Sequence, residues 1–147
     1  MKYGLINSSI VFGLMLLLFS SCLPDTTTVY DDGLQIEFRP VEDSHPASSD
    51  EPYEANIQLI GPHQEDPITV EFEVDTENSS GVLEQHFELD SATSTIPAGS
   101  SYGSIEISPI EENIEHEVII FINLLGDDSG EVRPAVNYAT LELTITP

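Results

Sequence analysis

Cysteine is almost missing from this chain. Cys22 is the only one, so no disulfide can form within the chain. Small domains of oxidising compartments usually rely on such staples, and any core here must stand on apolar burial alone. Positive charge is nearly as scarce. Lys and Arg number 3 against 27 Asp and Glu, for a formal net charge of −24. Beyond Lys2, only Arg39 and Arg133 oppose the acids. A surface of this sign repels phosphate backbones, which excludes nucleic acid as a partner. It attracts cations and keeps the chain soluble. Long apolar runs are also lacking. The run Ile10 to Phe19 falls well short of the roughly 20 residues that span a bilayer. No stretch shows a sustained helical period. There is no Walker loop, no G-x-G-x-x-G and no C-x-x-C.

What is present is alternation. "LQIEFRP" sets Leu34, Ile36 and Phe38 on one face and Gln35, Glu37 and Arg39 on the other. "YEANIQLI" repeats the pattern with Tyr53, Ala55, Ile57 and Leu59. "ITVEFEVD" does so with Ile68, Val70, Phe72 and Val74, "GSIEIS" with Ile105 and Ile107, and "ATLELTIT" with Leu141, Leu143 and Ile145. A period of two marks half-buried strands. "EVIIFINLL", from Glu117, is apolar on both faces and reads as a central strand covered on two sides. "HFEL", from His86, is a short further strand. Gly and Pro at Gly61-Pro62, Pro97 to Gly99 and Gly126 to Pro134 punctuate the series. The expected fold is all-β: an antiparallel, immunoglobulin-like β-sandwich of about seven strands. It occupies residues 33–147 as one domain.

Before it lies a different region. The run Ile10 to Phe19 has the length of a signal-peptide h-region. Ser20 and Ser21 then lead into the lone Cys22. This arrangement resembles the lipobox of bacterial lipoproteins. The resemblance implies a signal peptide at 1–21, cleavage before Cys22, and acyl chains on that residue. Each buried CH₂ of such chains contributes about 0.8 kcal/mol to membrane anchoring. Residues 22–32 read as the lipidated cysteine and a flexible tether, because "LPDTTTVYDD" is polar and without period. The expected location is the cell envelope, as an outer-membrane lipoprotein facing the periplasm or displayed at the surface.

Gly99-Ser100-Ser101-Tyr102-Gly103 fits the G-x-S-x-G pattern of a hydrolase elbow. That elbow requires a helix after the serine. Here a strand follows, and Pro97 and Gly99 are better explained as a turn into it. Ser101 is therefore not read as a nucleophile, no catalytic residue is assigned, and the chain is not read as an enzyme.

In an immunoglobulin-like arrangement three acidic connections meet at one end: "VEDSHPASSDEP", "DTENSSGVLEQ" and "EENIEHE". Hard Ca²⁺ takes six to eight oxygens, with carboxylates among the favoured ligands. His45, His86 and His116 lie in or beside the same connections. They lack H-x-H or H-x-x-x-H spacing, so zinc is not read from them. "DDSGE", from Asp127, lacks the spacing of an EF-hand and reads as a turn.

From Tyr53 to Thr146 the chain resembles Calx-beta-like domains, carried by "VEFEVDTENSSG", "HF", "IPAGSSYGSIEI" and "IEENIEHEVIIFINLLG" in that order. It is also similar to small immunoglobulin-like modules in surface lipoproteins of Bacteroides-like bacteria. His86 stands where the Calx-beta pattern has an Asp, and Glu111-Glu112 where it has paired Asp. The resemblance implies calcium as the one possible cofactor, held by Asp75, Glu77, Glu111, Glu112 and Glu115.

The expected function is thus a membrane-anchored, non-catalytic binding module for a protein or glycan partner. A calcium-binding adhesion domain is the alternative, and a hydrolase a remote one. Among the aromatics, Tyr30, Tyr102 and Tyr138 are the candidates to face a glycan.

Overall fold

The computed structural model describes residues 33–147. Cys22, the apolar run, Tyr30 and the tether lie outside the described residues. Among the described residues, no helix is long and apolar enough to cross a membrane.

Among the described residues, ten strands form two five-stranded sheets packed face to face. In chain order they are β1 (Leu34–Phe38), β2 (Glu42–Pro46), β3 (Tyr53–Ile60), β4 (Ile68–Val74) and β5 (Phe87–Leu89). Then come β6 (Thr93–Ile96), β7 (Tyr102–Pro109), β8 (Val118–Gly126), β9 (Val132–Pro134) and β10 (Thr140–Thr146). One sheet runs β5-β7-β3-β1-β9 and the other β2-β10-β8-β4-β6. The seven expected strands are all present. Three more, β2, β6 and β9, escaped the reading because each is short and only partly apolar: "EDSHP", "TSTI" and "VRP". All three are edge strands, which need little apolar content because only one neighbour covers them.

The sandwich is also not purely antiparallel. β9 lies parallel to β1, and β2 parallel to β10. The chain leaves β1 in one sheet and enters β2 in the other, passing the cis Arg39–Pro40 bond at the corner. Glu42 and Asp43, read as loop residues, are consequently in β2, opposite Glu142 and Leu143.

The core follows the period-two pattern. Ile36 and Phe38, Ala55, Ile57 and Leu59, and Ile105 and Ile107 are buried from the first sheet. Val70, Phe72, Ile120, Ile122, Leu141, Leu143 and Ile145 meet them from the second. β8 is central, as expected, but it is not covered equally on both faces. Ile119 and Phe121 are only half-buried and Leu125 is exposed. The segment after β4 instead prolongs the ladder along the β8 edge: Phe121 N–H donates to Ser79 Oγ, and Ile119 N–H to Ser80 Oγ. Glu37 was expected outward and is instead buried. Its position alternates as predicted, but residues 135–138 continue past β9 along the same side of β1. There Ala135 N–H donates to the Ile36 carbonyl and Phe38 N–H to that of Tyr138.

Candidate functional site

Strand direction decides which loops share an end. β3 starts beside the end of β7, since Tyr53 pairs with Ile107. β8 starts beside the ends of β10 and β4, since Val118 pairs with Ile145 and Ile122 with Val74. β2 ends with β10. Residues 47–52, 75–86 and 110–117 therefore gather at one end of the sandwich. The chain enters at Gly33, at the opposite end. The three acidic connections do meet, and they meet away from the N-terminal entry.

Each is fixed by local bonding. Asp75 N–H continues the β4–β8 ladder by donating to the Phe121 carbonyl. The Asp75 carboxylate then caps the turn that follows. Oδ2 accepts from Asn78 Nδ2 at 2.6 Å, and Oδ1 accepts from the backbone N–H of Glu77 and Asn78, both at 3.1 Å. These bonds, led by the one from the Asn78 side chain, hold the Asp75 carboxyl below the usual aspartate range. Farther on, Val82 N–H donates to His86 Nδ1 at 2.9 Å, which leaves the imidazole proton on Nε2 in the neutral ring. Glu84 takes a left-handed φ of 63° in the same turn. The third connection contains a single 3-10 turn, Glu111–Asn113. Ile114 pins it to the core, and Asn113 Nδ2 donates to the Gln85 carbonyl at 2.7 Å.

A shallow concavity results, lined by Gln85, His86, Glu112, Asn113, Glu115 and His116. Of the residues the sequence singled out, it unites Glu112 and Glu115. Asp75 sits at the end of β4 with its oxygens engaged, and Glu77 and Glu111 are exposed. His86 and His116 share the concavity. His45 does not line it: its Nε2 lies 3.0 Å from the Glu51 carbonyl and its ring packs against Tyr53. Among the described residues, no three His, Cys, Asp or Glu side chains stand close enough together to hold a metal ion. Asn78 and Asn113, which shape the turns, were missed by sequence reasoning. An amide in a polar loop carries no periodic signal; the Asx turn here is the Asp75 bond to the Glu77 N–H two residues on.

Ser101 lies in the connection from β6 to β7. Ser100 N–H donates to the Pro97 carbonyl at 3.0 Å, Gly99 has a φ of 72°, and the Ser101 carbonyl accepts from Leu59 N–H at 2.8 Å. A strand stands on either side of this turn, and no helix follows it. Asp127 likewise organises the turn from β8 to β9, where its Oδ1 accepts from Val132 N–H at 2.8 Å.

No protein-family model and no curated protein matches the sequence. Solved structures do. The chain is similar to the Calx CBD1 domain in its apo form, at 17% identity and TM-score 0.60, over 78% of this chain and 97% of that one. It is similar to CBD12 from CALX1.2, at 18% identity and TM-score 0.57, over 76% of this chain and 43% of that one. A third likeness is to the calcium binding domain CBD12 of CALX1.1, at 17% identity and TM-score 0.57, over 77% and 43%. At these identities the likeness is one of fold, and the fold is a Calx-beta-like β-sandwich.

Proposed function

We propose that the protein is a non-catalytic Calx-beta-type binding module, held at a membrane through Cys22, whose acidic end meets calcium. One observation carries this reading. In a fold shared with a structure described as a calcium binding domain, strand register brings three acidic loops together at the end opposite the N-terminal entry. An anchor attached through the segment before Gly33 would leave the acidic end, at the far end of the sandwich, free to meet a ligand.

The donors have the right chemistry, since carboxylate oxygens suit a hard cation. Their arrangement is not a finished cage. Both Asp75 oxygens already accept N–H groups, and no three ligands converge among the described residues. Calcium uptake thus requires the exposed Glu77, Glu111, Glu112 and Glu115 side chains to turn inward. The lack of convergence favours a second reading, in which the acidic end is an interaction surface without a metal.

Thermal unfolding separates the two. A cation that binds only the folded state stabilises it by about 2.7 kcal/mol at a hundred times its Kd. Each kcal/mol moves the Tm of a domain this size by roughly 2–8 °C. Calcium should raise Tm more than magnesium at equal ionic strength, because Mg²⁺ gives up its waters reluctantly. Joint replacement Asp75→Asn and Glu112→Gln should remove the difference. Equal effects of the two cations would leave only charge screening and the metal-free reading.

The anchor has its own test. In fractionated cells, wild type should be found with membranes and Cys22→Ala should not. Equal membrane recovery of the two would dismiss the lipid anchor.

A further inference from the structure

The outer face of the β5-β7-β3-β1-β9 sheet carries an arrangement that neither the acidic end nor the core explains. Glu37 on β1 pairs with Gln58 on β3, and Gln58 pairs with Tyr102 on β7. Residues paired across strands share a face, so these side chains form one row spanning two strand spacings, about 10 Å. On the far side of β1, the Tyr138 carbonyl accepts from Phe38 N–H. The Tyr138 ring reaches the same patch, since the Arg39 guanidinium lies over it. Both tyrosines are exposed, Tyr102 at 57% and Tyr138 at 45%.

Between them stands Arg39. Its Nε donates to Glu37 Oε1 at 2.6 Å, and its guanidinium carbon lies 5.7 Å from the centre of the Tyr138 ring. The pair is unequal: the Arg39 side chain is 61% exposed, that of Glu37 only 3%. Burying a carboxylate is costly unless it is paired, and an ion pair with one exposed partner contributes little stability. The buried Glu37 fixes the exposed guanidinium from beneath while Tyr138 braces it from the side. With Nε held by Glu37 and the side chain 61% exposed, the guanidinium is accessible to a ligand. A donor group fixed in advance loses less entropy when it binds.

The charge of this patch selects the occupant. Elsewhere the chain is strongly acidic, and the same face turns acidic toward the loop-bearing end, where Glu54 pairs with Glu106. Around Arg39 the Glu37 partner cancels the positive charge, and Asn56, Gln58 and the tyrosines are neutral. An anionic ligand meets a repelling surround and a cation already paired. A nucleic acid or a lipid headgroup is excluded on the same ground. A neutral ligand rich in hydroxyls meets no such barrier. Its C–H faces can lie on an exposed tyrosine ring, and its vicinal hydroxyls match the paired N–H groups of a fixed guanidinium and the side-chain amides beside it. We propose that this face binds a neutral oligosaccharide, with Tyr102 as the stacking ring, Arg39 as the hydroxyl donor and Glu37 as the residue that positions Arg39. The proposal rests on the reading of the protein as a non-catalytic binding module, but not on calcium or on the acidic end.

Saturation-transfer NMR on the full chain in phosphocholine micelles tests it. The probes are cellohexaose, maltohexaose, xylohexaose and mannohexaose, with hexagalacturonate as the acidic comparator. At least one neutral hexasaccharide should receive saturation from the tyrosine protons. Tyr102→Ala should weaken that sugar at least tenfold, about 1.4 kcal/mol. Glu37→Gln should weaken it less, and Tyr53→Phe, a change at a buried ring, should leave it unchanged. Matched Tm values for wild type and Tyr102→Ala would show that the fold is intact. The proposal is overturned if no neutral hexasaccharide responds, if the response survives Tyr102→Ala, or if hexagalacturonate binds as well. None of these results touches the calcium–magnesium comparison, so the two readings fail separately.

Discussion

Phe38→Ala should bring the domain close to unfolding at room temperature. Phe38 is 1% exposed and belongs to β1, which pairs with β3 and packs across the sandwich onto β8 and β10. No disulfide is available to hold the fold while the core loosens. Truncating a buried Phe to Ala costs about 3–5 kcal/mol, through lost burial and the cavity left behind. A domain has only about 5–15 kcal/mol in total. Circular dichroism should show a Tm lowered by roughly 10–30 °C. Val136→Ala, at a residue 94% exposed, should stay within about 0.5 kcal/mol of wild type. Similar melting of the two variants would mean that β1 is not part of the core.

Gly126→Ala should cost clearly more than Gly130→Ala. Gly126 ends β8 with a φ of 104° and lies where the β4–β8 register shifts, opposite Glu71. Only glycine adopts that backbone cheaply. A methyl group there would also sit 2.4 Å from the Val132 carbonyl oxygen. The obstacle is backbone in the β8–β9 connection, where Asp127 N–H bonds the same carbonyl. It cannot swing aside as a flexible side chain would. Backbone strain and overpacking together should cost on the order of 3 kcal/mol. Gly130→Ala makes the comparison clean. Its φ is 74°, but nothing lies within 4 Å of the added carbon, so only the conformational cost of roughly 1–2 kcal/mol remains. Equal losses in the two variants would show that the close approach to Val132 does not matter.

The strands that were legible share one property. β3, β4, β7 and β10 alternate because one face meets the core and the other meets water, and a period of two survives in the sequence whatever the partner strand. The strands that were not legible, β2, β6 and β9, owe their existence to a neighbour. "EDSHP" becomes a strand only because the free edge of β10 offers it parallel hydrogen bonds, and "VRP" because β1 does. Glu37 shows the same limit. Its place opposite the core was readable from alternation, but its burial was not, since it depends on residues 135–138 returning to β1 from about a hundred positions away in the chain.

By itself the sequence determined the class of fold, the core residues of the alternating strands, the absence of a disulfide within the chain, the acidity of the surface and the turn at Ser101, because period, composition and turn chemistry act over a few residues. The tertiary structure alone decided which elements meet. It put the acidic loops at one end while leaving their carboxylates unconverged, ran β9 and β2 parallel to their partners, and aligned Glu37, Gln58 and Tyr102 in a row beside Arg39. Those outcomes depend on strand register and on closure between distant segments. They follow from how the whole chain buries its apolar faces, and no local pattern of residues encodes them.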